Sequence, residues 1–473
     1  MDAASESPDT PSQGPISLSL FAALMVAYVV VRIALGLITG DEDSQYFQNW
    51  AYELGTTGIA EAYQNPVLDY PPLILYLFYP IGRIYHYFLP VFDSAALHGS
   101  PFFVLLIKLP HLFFDFVLAG LLYWLVASQG LWTSARMGSG WGRVAALVYL
   151  WNPTVLWGSG YWGQPDAIHS AFVVASFAAL YRYRWFVAGM LLAAACMTKP
   201  LAAPLVPLFI VGLAALGRMR AVLWGGVGGF AAATFLLLPF LLAGKGTEVI
   251  LRLVNDINAM KFTSMNAHNF WTVVAPWRKS TEPMLGSLTP QTLSMILFAA
   301  ACVPLLLRTW RFLSLPKQST SSARTEIRCD HLFLLVAAVY CSFFYFSVHM
   351  HENHLYLAIP LLLILAGRGK QFAWLAAAAS IACFLNMALH DLDLPYQLRS
   401  ILSARSPFED PYLIFDNKFN PTRHAYGRDV HYTWLQVVVL GFNLMLTAAT
   451  CFATYWLAWR GPQPELPEGN TAS

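Results

Sequence analysis

Apolar segments long enough to cross a bilayer recur from one end of this chain to the other, and a water-soluble fold has nowhere to put them. A spanning helix needs about 20 apolar residues. Segments of roughly that kind fall near 17–39, 101–128, 143–160, 166–181, 185–200, 201–217, 221–243, 290–307, 331–348, 354–367, 371–389 and 433–459, twelve in all. Several are short and contain proline, so half-spans buried within protein are allowed. Of the 473 residues 57% are hydrophobic and 11% charged, too apolar for a soluble chain of this length. The chain reads as an all-α polytopic membrane protein with about 12 transmembrane helices. Its expected layout is a cytoplasmic tail (1–15), one transmembrane domain (16–460) and a second cytoplasmic tail (461–473). The first segment reads as a retained span and not a signal peptide, because the tail before it carries Asp2, Glu6 and Asp9 and no basic residue.

Basic residues give the sidedness. Arg136 and Arg143, Arg182 and Arg184, Arg218 and Arg220, Arg308 to Arg328, and Arg368 and Lys370 fall in alternate loops whose only acids are Glu326 and Asp330. The positive-inside rule assigns these loops to the cytoplasm. The long connections 40–100, 244–289 and 390–432 are then extracytoplasmic, and most remaining carboxylates lie in them. They are rich in Trp, Tyr and Phe, which disordered segments lack, so short amphipathic helices are expected there. No basic tract points to nucleic acid. The six cysteines show no CxxC or zinc spacing, so neither disulfides nor a structural metal is expected.

Polar motifs crowd at the outer boundaries. Asp41, Glu42 and Asp43 follow the first span and precede an aromatic helix with Tyr46, Phe47 and Trp50. They read equally as a general base for an acceptor hydroxyl and as a solvated helix end; the aromatic helix favours the base. Asp69-Tyr70-Pro71-Pro72 forms a rigid entry into the next segment. Lys108 and Asp115 lie on one face of the second span, about two turns apart. An ionisable residue at that depth is functional or paired, and the two are too far apart for direct contact without a partner from another helix. In Trp162 to His169, Asp166 is placed to cap a helix after Pro165, while Gln164, Asp166 and His169 can form one polar wall. Lys199, in Thr198-Lys199-Pro200, reads evenly as a snorkelling lysine and as a partner for a lipid phosphate. Ser264 to Trp271, with Asn266 and His268, reads as an interfacial element that touches ligand or anchors the loop. His349-Met350-His351-Glu352-Asn353-His354 lacks the spacing of a zinc helix, and phosphate binding is preferred over metal there. His390, Asp391 and Asp393 form a weaker cluster. Gly225 to Gly229 lies in an apolar span and reads as helix packing through small residues.

In this order the motifs resemble the GT-C integral-membrane glycosyltransferases. Within them, the likeness is to bacterial mannosyltransferase-like proteins related to GPI mannosyltransferases and to dolichyl-phosphate-glucose-dependent glucosyltransferases. It covers about residues 40 to 367 and rests on Asp43 to Trp50, Tyr70-Pro71-Pro72, Lys108 with Asp115, Gly163 to Asp166, Thr198-Lys199-Pro200, Asn266 to Trp271 and His351-Glu352. The family's His-Glu is usually followed by a basic residue, where this chain has Asn353.

The resemblance implies a GT-C-like bundle with extracytoplasmic loop helices and inverting transfer of a hexose, mannose first. The donor is a polyprenyl-phosphate sugar and the acceptor a glycolipid or glycan. Nucleotide sugars are absent from the outer side, whereas a lipid-linked donor enters from the membrane. Asp43, or Asp41, is the expected base. Lys199, His351 and His268 are expected to stabilise the leaving phosphate, so neither a metal nor another cofactor is expected. Glu352, Asn266, Gln164, Asp166, Tyr70, Lys108 and Asp115 complete the expected substrate-binding set. The absence of an N-x-Ser/Thr sequon with x other than Pro fits a bacterial inner membrane with the site facing outward. Two other readings stand. A transporter or flippase of lipid-linked sugars predicts ionisable residues at mid-span and an inverted repeat. A non-catalytic assembly partner predicts loss of the acidic and His-Glu motifs.

Overall fold

The first helix, α1 (Leu18–Gly36), shows how the chain meets lipid. Its buried residues are Tyr28, Arg32 and Gly36, one every four positions. Leu18, Leu20, Val26, Val30 and Ile33 are exposed. A helix apolar on all sides, with one narrow buried stripe, is stable in hydrocarbon and not in water. The computed structural model describes residues 16–40, 42–65, 68–129, 139–255, 262–276, 278–314, 322–390 and 434–461. Among them seven helices are long and apolar enough to cross a membrane: Leu18–Gly36, Pro101–Ala127, Pro200–Leu242, Pro290–Leu313, Cys329–Phe346, Lys370–Leu389 and Val437–Arg460. Three shorter apolar helices, Asp166–Tyr181, Trp185–Cys196 and Ala358–Arg368, lie among them. The protein is a multi-pass helical membrane protein.

The Pro200–Leu242 stretch is two helices, not one. Arg218 stands at φ 54° and ψ −154°, outside the helical region. A Cβ placed on Gly225 would lie 2.6 Å from Leu213 Cδ1, although the same residues on a straight helix would be about 18 Å apart. The chain therefore turns back on itself at Arg218. The 143–160 segment is also divided. Helix α6 (Ser139–Leu150) gives way to a short turn capped by Asn152, then to a π-helix, Leu156–Trp162. The two prolines at 153 and 165 and the left-handed Gly163 explain why no long helix forms there.

Two of the three long loops are structured among the described residues. Loop 40–100 folds into α2 (Glu42–Thr57), a 3-10 turn, α3 (Pro72–Phe88) and α4 (Ser94–Gly99). Helix α2 buries Phe47, Trp50, Ala51 and Leu54, the helical period of an amphipathic helix. It meets α3 backbone to backbone: a Cβ on Gly82 would stand 1.7 Å from the Ala51 carbonyl oxygen. Loop 244–289 contributes α11 (Gly246–Asn255), a two-residue strand β1 (Ser264–Met265) and α12 (Phe270–Val274). Strand β1 pairs in parallel with β2 (Met350–His351), Ser264 opposite Met350 and Met265 opposite His351. The pair is only two residues long, and the fold class stays all-α. Loop 390–432, with Asp391 and Asp393, lies outside the described residues apart from His390.

Helix α5 (Pro101–Gln129) carries Asp115, and α1 carries its partner. Arg32 donates to Asp115 at 2.8 Å, with side-chain exposures of 1% and 0%. Ser159 donates to the same carboxylate oxygen at 2.7 Å, and the Tyr28 and Tyr149 hydroxyls donate at 3.3 and 3.2 Å. The Tyr149 hydroxyl also bonds that of Tyr356 at 2.8 Å. One carboxylate thus joins α1, α5, α6, the π-helix and the 353–357 turn. At the opposite end of helix α8 (Asp166–Tyr181), about 24 Å from Asp166 by helical rise, Arg182, Arg368 and Asp330 gather around Cys329. The turns that carry Arg182 and Arg368 therefore share an end of the bundle.

Arg32→Ala leaves the Asp115 charge with hydroxyl partners alone and should cost about 3–5 kcal/mol. Arg32→Met combined with Asp115→Leu removes both charges and should cost less. Melting curves in one detergent compare them, and a double variant as unstable as Arg32→Ala would refute the ion pair as the joint.

Candidate functional site

Four segments meet where α2 begins. Asp43 stands in the first turn of α2, and Tyr70 on the extended entry to α3. Gln164 follows Gly163, whose φ of 77° ends the π-helix. A side chain at Gly163 would be strained by that φ and would press on the Lys108 stem at 3.2 Å. Asp166 opens α8, and Lys199 precedes the 3-10 turn Pro200–Leu205. Asn353 lies in the turn between β2 and helix α15 (Ala358–Leu365).

These side chains form one continuous network. Lys199 donates to Asp166 Oδ1 at 2.8 Å, and Asn353 Nδ2 donates to Asp166 Oδ2 at 2.8 Å. Asn353 Nδ2 also reaches Gln164 Oε1 at 3.2 Å. Gln164 Nε2 donates to Asp43 Oδ2. The Tyr70 hydroxyl stands 3.5 Å from Gln164 Oε1. Burial first, and then the nearby carboxylates of Asp43, Asp69 and Asp166, push the Tyr70 phenol well above its ordinary range, so Tyr70 keeps its proton. Phe47 and Trp50 wall this region, with ring centroids 5.4 and 5.8 Å from Tyr70.

The 264–271 element packs against the Met350–His351 strand. Asn269 Nδ2 donates to the Phe344 and Ser347 carbonyls, each at 3.1 Å, and the Trp271 indole donates to Phe346 at 2.7 Å. They satisfy carbonyls left open where α14 (Ser322–Phe346) ends. Asn386 donates to the Asn266 carbonyl at 2.6 Å and accepts from the His268 backbone at 2.8 Å. Asn443 Nδ2 lies 2.7 Å from His268 Nδ1. An amide nitrogen donates, so His268 Nδ1 accepts and the ring proton sits on Nε2. Asn266 bridges His351 through the backbone, which places this element against the His-Glu motif.

The imidazoles here are neutral. Burial pushes His268 down to about 3. Burial first, then Lys199 and His349, against the opposing pull of Asp166, holds His351 at about 4. His354 is lowered by burial, Lys199 and the neighbouring histidines, and its Nδ1 accepts from the His351 backbone at 3.1 Å. These rings can donate N–H bonds, but at neutral pH they bring no positive charge. His351 Nδ1 lies 3.9 Å from the Glu352 carboxylate. Among the described residues, no three His, Cys, Asp or Glu side chains converge as metal ligands.

Asp43, Tyr70, Gln164, Asp166 and Lys199, taken from the sequence, therefore share a network; His351 feels the charges of Lys199 and Asp166, and Asn266 and His268 belong to the neighbouring 264–271 element. Asp166 is not a helix cap as the sequence suggested. Pro165 holds the capping position, and the carboxylate is committed to Lys199 and Asn353. Lys108 and Asp115 serve elsewhere. Lys108 donates to the Ile38 and Tyr161 carbonyls, tying the exit of α1 to the end of the π-helix, and Asp115 belongs to the Arg32 pair. Asp41 lies outside the described residues, so the structure bears on Asp43 alone. The sequence reading missed Arg32, which an arginine inside the first span should have signalled. It also missed Asn353, Asn386 and Asn443 as connectors; isolated amides carry no sequence signal. No family model matches this chain, and a search of curated proteins found no match either.

His268 predicts a pH effect on stability. Folded His268 stays neutral down to about pH 3, whereas the unfolded chain takes up a proton near 6.5. Between those values the unfolded state binds the extra proton, so stability falls as pH is lowered from 6.5 toward 3. His268→Asn removes this contribution. Its Tm should fall less steeply than that of the wild type between pH 7 and 5, and parallel curves would count against a buried neutral His268.

Proposed function

We propose that this protein is an inverting glycosyltransferase. It moves a hexose, mannose first, from a polyprenyl-phosphate sugar to a glycolipid or glycan acceptor on the outer face of a bacterial inner membrane. The observation that carries the reading is the network that joins a carboxylate, Asp43, to a cation, Lys199, beside an aromatic wall. The resemblance of the motifs to GT-C enzymes supports the class. In that reading the short helices and the two arms around Arg218 count as crossings, giving a GT-C-like bundle of about 12. The grouping of Arg182, Arg368 and Asp330 at the far end supports an outward site through the positive-inside rule.

The chemistry follows from the groups present. Asp43 takes the proton of the acceptor hydroxyl. The hydroxyl oxygen attacks the anomeric carbon from the face opposite the phosphate, and the bond from that carbon to the phosphate oxygen breaks. The electron pair leaves with the polyprenyl phosphate, whose negative charge grows in the transition state. Lys199 supplies the countercharge, and neutral His351 and His268 supply N–H donors. The polyprenyl chain stays in lipid and enters between helices. Asn266, Glu352 and the Gln164–Asp166 wall orient the sugar.

A second reading, a flippase of lipid-linked sugars, draws on the Arg32–Asp115 pair inside the spans, because intramembrane charges often mark transport paths.

The test supplies polyprenyl-phosphate mannose, polyprenyl-phosphate glucose and nucleotide sugars separately to the purified protein in lipid, with membrane glycolipids as acceptor. Transfer is expected from one lipid donor. Asp43→Asn should lower kcat by about 10²- to 10⁴-fold with donor binding retained. Full activity in that variant would remove Asp43 as the base, and flipping without transfer would favour the second reading.

A further inference from the structure

We propose that Asn353 is a positioning residue: it fixes which way the Gln164 amide faces and so holds the Asp43 carboxylate by an N–H bond. Its catalytic meaning rests on the glycosyltransferase reading, whereas the bonding logic stands on the geometry alone.

A lysine ammonium only donates, an ionised carboxylate only accepts, and a carboxamide does one at each end. Asp166 accepts from Lys199 on one oxygen, so its other oxygen, 2.8 Å from Asn353, also needs a donor. Asn353 must therefore present its NH2 group to Asp166. The second hydrogen of that nitrogen points to Gln164, 3.2 Å away, and Gln164 must answer with its oxygen. The Tyr70 hydroxyl, which keeps its proton, faces the same oxygen at 3.5 Å. The Gln164 NH2 is then left for Asp43. The order Lys199 to Asp166, Asn353 to Asp166, Asn353 to Gln164 and Gln164 to Asp43 allows one orientation of both amides. Gln164, Asp166 and Asn353 are 3%, 1% and 5% exposed, so water is poorly placed to replace a missing member.

The relay has a direction, and reversing one end should reverse the rest. With an acceptor at position 353, Gln164 gains by turning its NH2 toward it, and its oxygen then meets the Asp43 carboxylate. An amide at position 43 would accept that arrangement, because it can donate to the oxygen.

The experiment compares the wild type with Asn353→Asp, Asp43→Asn and the double variant. Asn353→Asp should lower Tm in the wild-type background and lower it less in the Asp43→Asn background. Repulsion between the new carboxylate and Asp166 is present in both backgrounds and cancels in the comparison. An equal or larger loss in the double variant overturns the proposal. If Asn353→Asp does not fold, Gln164→Glu takes its place; it sets a carboxylate against Asp43, and the same rescue by Asp43→Asn is expected.

For activity, Asn353→Asp should lower kcat about 10- to 100-fold, as a misplaced base does, with donor KM nearly unchanged. A raised donor KM at full kcat overturns the positioning role. Wild-type protein that transfers from no donor refutes the glycosyltransferase reading, and the melting comparison still decides the orientation.

Discussion

A carboxylate buried among membrane helices must find its partners in the protein, because lipid offers none, and Asp115 is where this fold meets that constraint. Arg32, Ser159, Tyr28 and Tyr149 all donate to it. Removing any one leaves a buried charge less compensated, so a shift in register between the helices that carry them is penalised. The register is passed on to the site. Ser159 is five residues before Gln164 on the π-helix side, and Tyr356, bonded to Tyr149, is three residues after Asn353. Lys108, two turns from Asp115 on α5, clasps Ile38 and Tyr161. Both ends of the amide relay are thus placed by one ionic joint.

The structure also changes which groups can supply charge. A cluster of histidines beside an acid suggests positive charge for a phosphate, but burial keeps His268 and His351 neutral near pH 7. Lys199 remains as the cation of the network. This makes the carboxamides matter more. Gln164, Asn353, Asn386 and Asn443 connect charged or aromatic elements without adding charge, and each can bond to a donor at one end and an acceptor at the other.

Much of this was legible in the sequence, and the limits are physical. Span-length apolar runs identify a helical membrane protein because hydrocarbon demands internal hydrogen bonding. The polar motifs were legible as groups at span ends, and Asp43, Tyr70, Gln164, Asp166 and Lys199 do meet. The partners were not legible. Asp115 read as functional or paired and Arg32 stood inside the first span, but nothing in the sequence joins the two across 83 residues. Asp166 looked like a helix cap because Pro165 precedes it, and long-range bonds to Lys199 and Asn353 overrode that local preference. The β1–β2 pair was invisible because two-residue strands have no period to detect.

Two buried ion pairs among the described residues, Arg32–Asp115 and Lys199–Asp166, differ in a way that separates structure from proposed chemistry. Arg32 and Asp115 are 1% and 0% exposed, and the carboxylate has further hydroxyl donors on both oxygens. Breaking that pair to bind a ligand would strand both charges. Lys199 and Asp166 lie at the head of α8, with Lys199 8% exposed, and Asp166 keeps the Asn353 bond if Lys199 turns away. The second pair can exchange partners at lower cost than the first. A lipid phosphate that takes over Lys199 would leave Asp166 still held and the amide relay to Asp43 intact. In the proposed glycosyltransferase reading, donor binding and base positioning would then share the network without one undoing the other.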